Sequence, residues 1–131
     1  MPVSANHLRP YQKLVVWREA HVVCLHIYKL TKNFPPDEKF GLVSQMRRAA
    51  ASTPTNIAEG STKHSPRERA HFYEIAATSL EELHYELLLS KDLAYISEQE
   101  FDTLDVSIRK ISYLLFKIKS STTTLISSIT S

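Results

Sequence analysis

The sequence predicts an all-α fold, an antiparallel up-down-up-down bundle of four helices, and three observations predict it. Gly occurs only twice and Pro six times in 131 residues, too few turn residues for the many short connections of a β-sandwich or barrel. Four segments carry apolar residues at steps of three and four, the spacing of one helical face. The connections between them are short, which makes consecutive helices antiparallel neighbours. A composition of 43% hydrophobic and 23% charged residues is that of a folded globular chain, and the length suits one core.

The first helix is expected from Tyr11 to Thr31, with Leu14, Trp17, Ala20, Cys24 and Ile27 on its core face. Phe34-Pro35-Pro36 cannot continue a helix, and Asp37 offers a cap for the next one. The second helix carries Leu42, Met46, Ala49, Thr53 and Ile57 and is expected to stop at Gly60 in a left-handed turn. Pro54 lies inside it. The missing amide predicts a kink, with the Ser52 and Thr53 hydroxyls placed to satisfy the freed carbonyl. Ser65-Pro66-Arg67-Glu68 reads as a cap, a first-turn proline and a capping-box glutamate. The third helix then runs through Ala76, Leu80, Leu83, Leu87 and Ala94 to about Ile96. Ser97-Glu98-Gln99-Glu100 repeats the box and opens the fourth helix, seamed by Phe101, Leu104, Ile108, Ile111, Leu115 and Ile118.

The division expected is an N-terminal extension over 1–10, the bundle over 11–119 and a mobile, non-helical Ser/Thr-rich tail over 120–131. No stretch approaches the roughly 20 apolar residues of a membrane span, nor does the N-terminus resemble a signal peptide. The single cysteine, Cys24, excludes an internal disulfide. These features predict a cytoplasmic protein.

No catalytic constellation stands out. Glu68-x-x-His71 and Glu81-x-x-His84 resemble half-sites of di-iron bundles, but both lie on one helix, about 20 Å apart along its axis. They cannot share a metal, so neither metal nor cofactor is expected. His21 and Cys24 form a pair at a three-residue step, two ligands where zinc needs more. Cys24, set among Val22, Val23 and Leu25, reads as a core thiol and not a nucleophile. With only Gly41 and Gly60, no glycine-rich phosphate loop is possible.

Net charge is only +2, so the distribution of charge carries more information than its sum. Arg47, Arg48, Lys63, Arg67 and Arg69 make the densest basic stretch, and the turn at 60–65 is expected to gather Lys63, Arg67 and Arg69 into a cationic rim for phosphates of RNA or DNA. A solvated polar end is the plainer reading. Arg48, Ser52 and Glu59 make a polar stripe for an internal pair or a subunit contact. Tyr85, Leu89, Leu93 and Ile96 form a second apolar line on the third helix, and Val106 with Tyr113 a second one on the fourth. A chain with such spare faces is expected to self-associate.

The run Gly41-Leu42-Val43-Ser44-Gln45-Met46-Arg47-Arg48-Ala49-Ala50, followed by Ser52-Thr53-Pro54-Thr55-Asn56-Ile57-Ala58-Glu59-Gly60, resembles the signature of the 23S rRNA intervening-sequence proteins, a bacterial family of four-helix-bundle proteins. Leu14-Val15-Val16-Trp17, Ala20, Ile27-Tyr28-Lys29-Leu30-Thr31 and Phe34-Pro35 extend the likeness, which covers roughly 11–120. Thr53 and Thr55 stand where the family pattern has an apolar residue and a serine. The resemblance implies an antiparallel bundle that assembles into a ring, typically a pentamer, with no established enzymatic activity. It also implies kinship with nucleic-acid-binding accessory proteins of reverse transcriptases in diversity-generating retroelements. The expectation is therefore a homo-oligomeric scaffold that binds nucleic acid, the alternative being an adaptor ring that holds a partner protein, such as a reverse transcriptase, without nucleic acid.

Overall fold

The computed structural model describes residues 7–130, with side chains through residue 125. Four helices account for nearly all of it: α1 (Val15–Thr31), α2 (Leu42–Ser61), α3 (Pro66–Asp92) and α4 (Glu98–Thr130). Short 3-10 turns, Pro10–Lys13 and Pro36–Glu38, precede α1 and α2. Each helix packs on its chain neighbours, and α1 also packs on α4. Cross-helix pairs fix the antiparallel order: Arg48 meets Glu82 and Ser52 meets Ser79 between α2 and α3, while His84 meets Asp105 and Lys119 meets Glu74 between α3 and α4.

The residues spaced at three and four converge on one core. Ile27, Met46, Ile57, Leu80, Leu83, Leu87, Leu104, Ile108, Ile111 and Leu115 are fully buried in it. Leu14, Trp17, Cys24, Leu42, Phe101 and Ile118 close its edges half-buried. Ile96 joins this core as well, so it does not belong to the outward apolar line of the third helix.

Local chemistry moves several helix ends. The N-terminal turn is 3-10 and α1 begins only at Val15. Asp37 sits within the second 3-10 turn; the start of α2 is served instead by Glu38, whose Oε1 accepts from the Leu42 amide at 3.4 Å. Ser65 accepts from the Glu68 amide at 3.4 Å, one half of the expected box. At Ser97 both halves form, at 2.8 and 3.0 Å.

Gly60 lies inside α2 and has no positive φ, against the left-handed turn expected of it. Its lack of a side chain serves packing: a Cβ there would stand 2.7 Å from Cε1 of Tyr73 and 3.1 Å from Cβ of Phe72. The left-handed position falls at Ala94 instead, φ 64°, where the Tyr95 amide bonds the Ser90 carbonyl and the Ala94 amide bonds that of Lys91. This closing turn ends α3 at Asp92, short of Ile96, and leaves Ala94 exposed.

α2 continues through Pro54. The Thr53 and Thr55 hydroxyls donate to the carbonyls of Ala49 and Ala51, on either side of the Ala50 carbonyl that Pro54 cannot reach. Ser52 turns away to Ser79, so neither hydroxyl does what the sequence suggested. The Ser/Thr-rich stretch also departs from expectation, because α4 runs through it to Thr130. Thr122 and Thr124 hydroxyls bond the carbonyls of Ile118 and Ser120, folding their polar groups back onto the helix.

Two substitutions test these assignments in urea denaturation. Gly60→Ala is expected to destabilise by about 1–3 kcal/mol, since an overpacked contact must shift an aromatic ring. Ala94→Gly is expected to stabilise by about 1 kcal/mol, because only the left-handed strain of an L-residue is relieved.

Candidate nucleic-acid interface and exposed apolar faces

The five cations singled out in the sequence do not form one surface. Thirteen residues of α2 follow Arg48 before the turn that carries Lys63, which places the two groups about 20 Å apart, toward opposite ends of the bundle, at about 1.5 Å per helical residue. Arg47 is occupied within the chain. Its Nε donates to the Thr31 hydroxyl at 2.9 Å, its guanidinium reaches the Tyr28 carbonyl at 3.3 Å, and its plane lies 4.8 Å from the Tyr28 ring. It therefore closes the C-terminal turn of α1, where a cation meets orphan carbonyls and the helix dipole.

Arg48 pairs with Glu82 at 2.9 Å and not with Glu59. Below this pair the α2–α3 seam stays polar, with Ser52 bonded to Ser79 at 2.8 Å and Asn56 bonded back to Ser52. Glu86 lies in the same seam, only 4% exposed, with its Oε1 lacking any partner among the described residues. Burial pushes its carboxyl up to about 7, the Glu82 charge adds to the rise, and Arg48 opposes it. Sequence reasoning missed this group because its position between Glu82 and Ser90 reads as ordinary helix surface.

At the α2–α3 turn the cations are closer together. Arg69 donates to the carbonyls of Lys63 and His64, both at 3.1 Å, and so braces the loop from inside. Lys63 lies 5.2 Å from the Phe72 ring. Arg67 is exposed, with no ion pair or hydrogen bond among the described residues. The pocket between Tyr11, Trp17, Ala58 and Glu59 shows that the turn before α1 and the start of α1 stand toward this same end. Its volume is ≈ 390 Å³, and Trp17 forms its wall, stacked on His21 at 4.9 Å with Tyr11 edge-on at 5.0 Å.

Cys24 lines that pocket, half-buried, and desolvation raises its thiol above the ordinary value. Its neighbours Val22 and Leu25 point outward, so the thiol is not sunk among them as the sequence suggested. The two Glu-x-x-His pairs stay apart. Glu68 and His71 are exposed. His84 instead bonds Asp105 of α4 at 2.7 Å, and Asp105 also accepts from Arg109 at 2.8 Å. Those two bonds, that of Arg109 foremost, hold the Asp105 carboxyl below its usual range. No group of three or more His, Cys, Asp or Glu side chains among the described residues is arranged to hold a metal. None of their helices is long and apolar enough to cross a membrane.

The spare apolar residues remain outside the core. Tyr85, Leu93, Val106 and Tyr113 are exposed, Val106 to 68%, and Leu89 is half-buried. Phe116 on α4 is exposed beside them.

Glu86 sets a pH dependence. Its carboxyl ionises near 4.5 in the unfolded chain and near 7 in the folded one, so the folded state holds the extra proton and stability falls as pH rises between those values. The fall levels off above about pH 7 and amounts to on the order of 3 kcal/mol at most. Glu86→Gln is expected to flatten this slope and to exceed the parent in stability at pH 8, as read by urea midpoints across the range.

Residues 12–117 match the family described as 23S rRNA-intervening sequence protein. Among solved structures, the chain is similar to a protein of unknown function from the S23 ribosomal protein family of Bacteroides thetaiotaomicron VPI-5482, with 24% identity and a TM-score of 0.73 over 80% of this chain and 98% of that one. This likeness shows the fold. No functionally curated protein matches the chain. With its match spanning more than half of the sequence, through the α2 signature and the helices packed on it, the chain belongs to the 23S rRNA-intervening sequence protein family.

Proposed function

We propose that the protein is a non-enzymatic, self-associating scaffold, a ring of identical bundles and by family likeness a pentamer, that holds RNA or DNA through phosphate contacts at the end of the bundle where α2 turns into α3. The observation that carries the reading is the outward set of apolar side chains on α3 and α4, Tyr85, Leu93, Val106 and Tyr113, which a single chain leaves in water. Such a set marks a contact surface. The phosphate part is supported by the exposed Arg67, with Lys63 on the same turn, whose backbone Arg69 already holds in place. Repetition of a weak patch around a ring raises its effective concentration on one strand by a factor on the order of 10² or more.

Arg47 drops out of this reading, and Arg69 enters as a brace and not as a free contact. The test therefore uses Lys63→Ala with Arg67→Ala, leaving Arg69 in place, and measures binding of single-stranded and duplex RNA and DNA at several salt concentrations. Affinity should fall linearly in log salt, and the double change should weaken all ligands alike, lowering the slope by about 2 for each engaged subunit. No binding to any nucleic acid at low salt rejects the phosphate reading. It would favour an adaptor for a partner protein, a reading that draws on Phe40, 89% exposed on the loop before α2.

A further inference from the structure

We propose that the groove between α1 and α2 is a binding site for a small N-alkylated ammonium compound, held by the rings of Tyr11 and Trp17 and by the carboxylate of Glu59. The groove exists because the two helices meet there with side chains of unequal size. α2 turns Ala51, Pro54 and Ala58 toward it, at steps of three and four, while α1 and the turn before it contribute Tyr11, Trp17 and His21. Small residues against an aromatic wall leave a depression of ≈ 390 Å³, within the roughly 300–1,000 Å³ of small-molecule sites. The planes of Tyr11 and Trp17 cross at 69°, so the two rings stand as near-perpendicular walls. This side of the bundle lies across from the α3–α4 side, since α1 packs on α2 and α4 and not on α3. The site is therefore separate from the apolar residues of α3 and α4 and does not rest on the scaffold reading.

Charge decides the occupant. The lining carries one acid, Glu59, and neither lysine nor arginine. Glu59 is exposed, and its carboxylate has no ion pair or hydrogen bond among the described residues. Lys63, one turn further on, lies along the Phe72 ring instead, and Lys13 and Arg18, close to Trp17 in sequence, do not line the groove. Five other rings, those of Tyr28, Phe40, Phe72, Phe101 and Tyr113, each meet a lysine or arginine of the same chain. Tyr11 and Trp17 meet none among the described residues, although an indole is the strongest aromatic partner for a cation. The kind of cation follows from what the lining lacks. A primary ammonium or a guanidinium brings several N–H donors that each need an acceptor. Thr55 already directs its hydroxyl to the Ala51 carbonyl, and Ala51, Pro54 and Ala58 present only carbon. A quaternary ammonium has no N–H to satisfy, and an aromatic wall with one opposite charge is sufficient to hold it.

Two native reporters stand on the lining, because Trp17 is the chain's single tryptophan and Cys24 its single cysteine. Trp17 fluorescence is followed as choline is added at fixed ionic strength and about pH 8, above the ordinary range of an imidazole. A saturable change is expected, with neohexyl alcohol, the uncharged carbon analogue of choline, binding about tenfold more weakly. Glu59 is exposed, so Glu59→Gln should match the parent in circular dichroism. It is expected to weaken choline about fivefold and to leave the uncharged analogue as it was. Labelling of Cys24 in the parent gives a second reading that needs no variant. A methanethiosulfonate carrying trimethylammonium should react about tenfold faster than one carrying sulfonate, each relative to free cysteine, and choline should slow it. An uncharged analogue that binds as well as choline reduces the groove to an apolar depression and overturns the proposal. So does a parent with no saturable response to choline, a choline response that survives Glu59→Gln in full, or labelling indifferent to the charge of the reagent.

Discussion

The close approach of α2 to α3 is the constraint on which the rest of the molecule depends. Gly60 has no room for even a methyl group against Tyr73 and Phe72, and Ala49 and Ala50 are buried earlier in the same helix. Two backbones held so near fix the direction in which the chain leaves α2 and enters α3. The turn between them is then short enough for one side chain, Arg69, to span it and bond two of its carbonyls. The same closeness decides which cations stay in water. Arg67 points outward from a braced turn, and Lys63 is laid along Phe72.

The seam that this approach creates is polar where apolar packing would have been simpler. Ser52, Ser79 and Asn56 satisfy one another, and Arg48 bonds Glu82 at the exposed rim. Glu86 is the exception, buried with an orphaned oxygen beside a second carboxylate. An uncompensated buried charge is costly enough that the carboxyl keeps its proton toward neutrality. Hydrogen bonds across a tight seam give directionality that interchangeable methyl contacts lack, and so hold α2 and α3 in one register. The exposed Arg48 pair adds little stability by itself. Its consequence is positional, since it fixes the height of Glu82 relative to α2.

Periodicity made the bundle legible, because Leu80, Leu83 and Leu87, or Leu104, Ile108, Ile111 and Leu115, have no other common face than a helix seam. Helix ends were less legible wherever the closing residue lacked its usual identity. Ala94 takes a left-handed conformation that sequence reasoning assigns to glycine, and Gly60 is a glycine for reasons of tertiary contact that no local rule sees. Long-range partners were invisible for the same reason. Nothing in the spacing of Arg47 reveals the Thr31 hydroxyl and the Tyr28 carbonyl, sixteen and nineteen residues earlier in the chain, and nothing about His84 reveals Asp105 on another helix. A cluster of cations in sequence thus separated into braces and free charges once the chain was folded. The Ser/Thr stretch was misjudged on propensity alone, although hydroxyls that bond the carbonyl four residues back make such residues tolerable in a helix.

The outward side of α1 escaped notice because its apolar residues alternate with lysine and arginine, and such a mixture reads as ordinary surface. Only the fold shows that Val15, Val22 and Leu25 point into water. Basic side chains suit such a face, since their methylene stems extend the apolar area while the charge keeps a lone chain soluble.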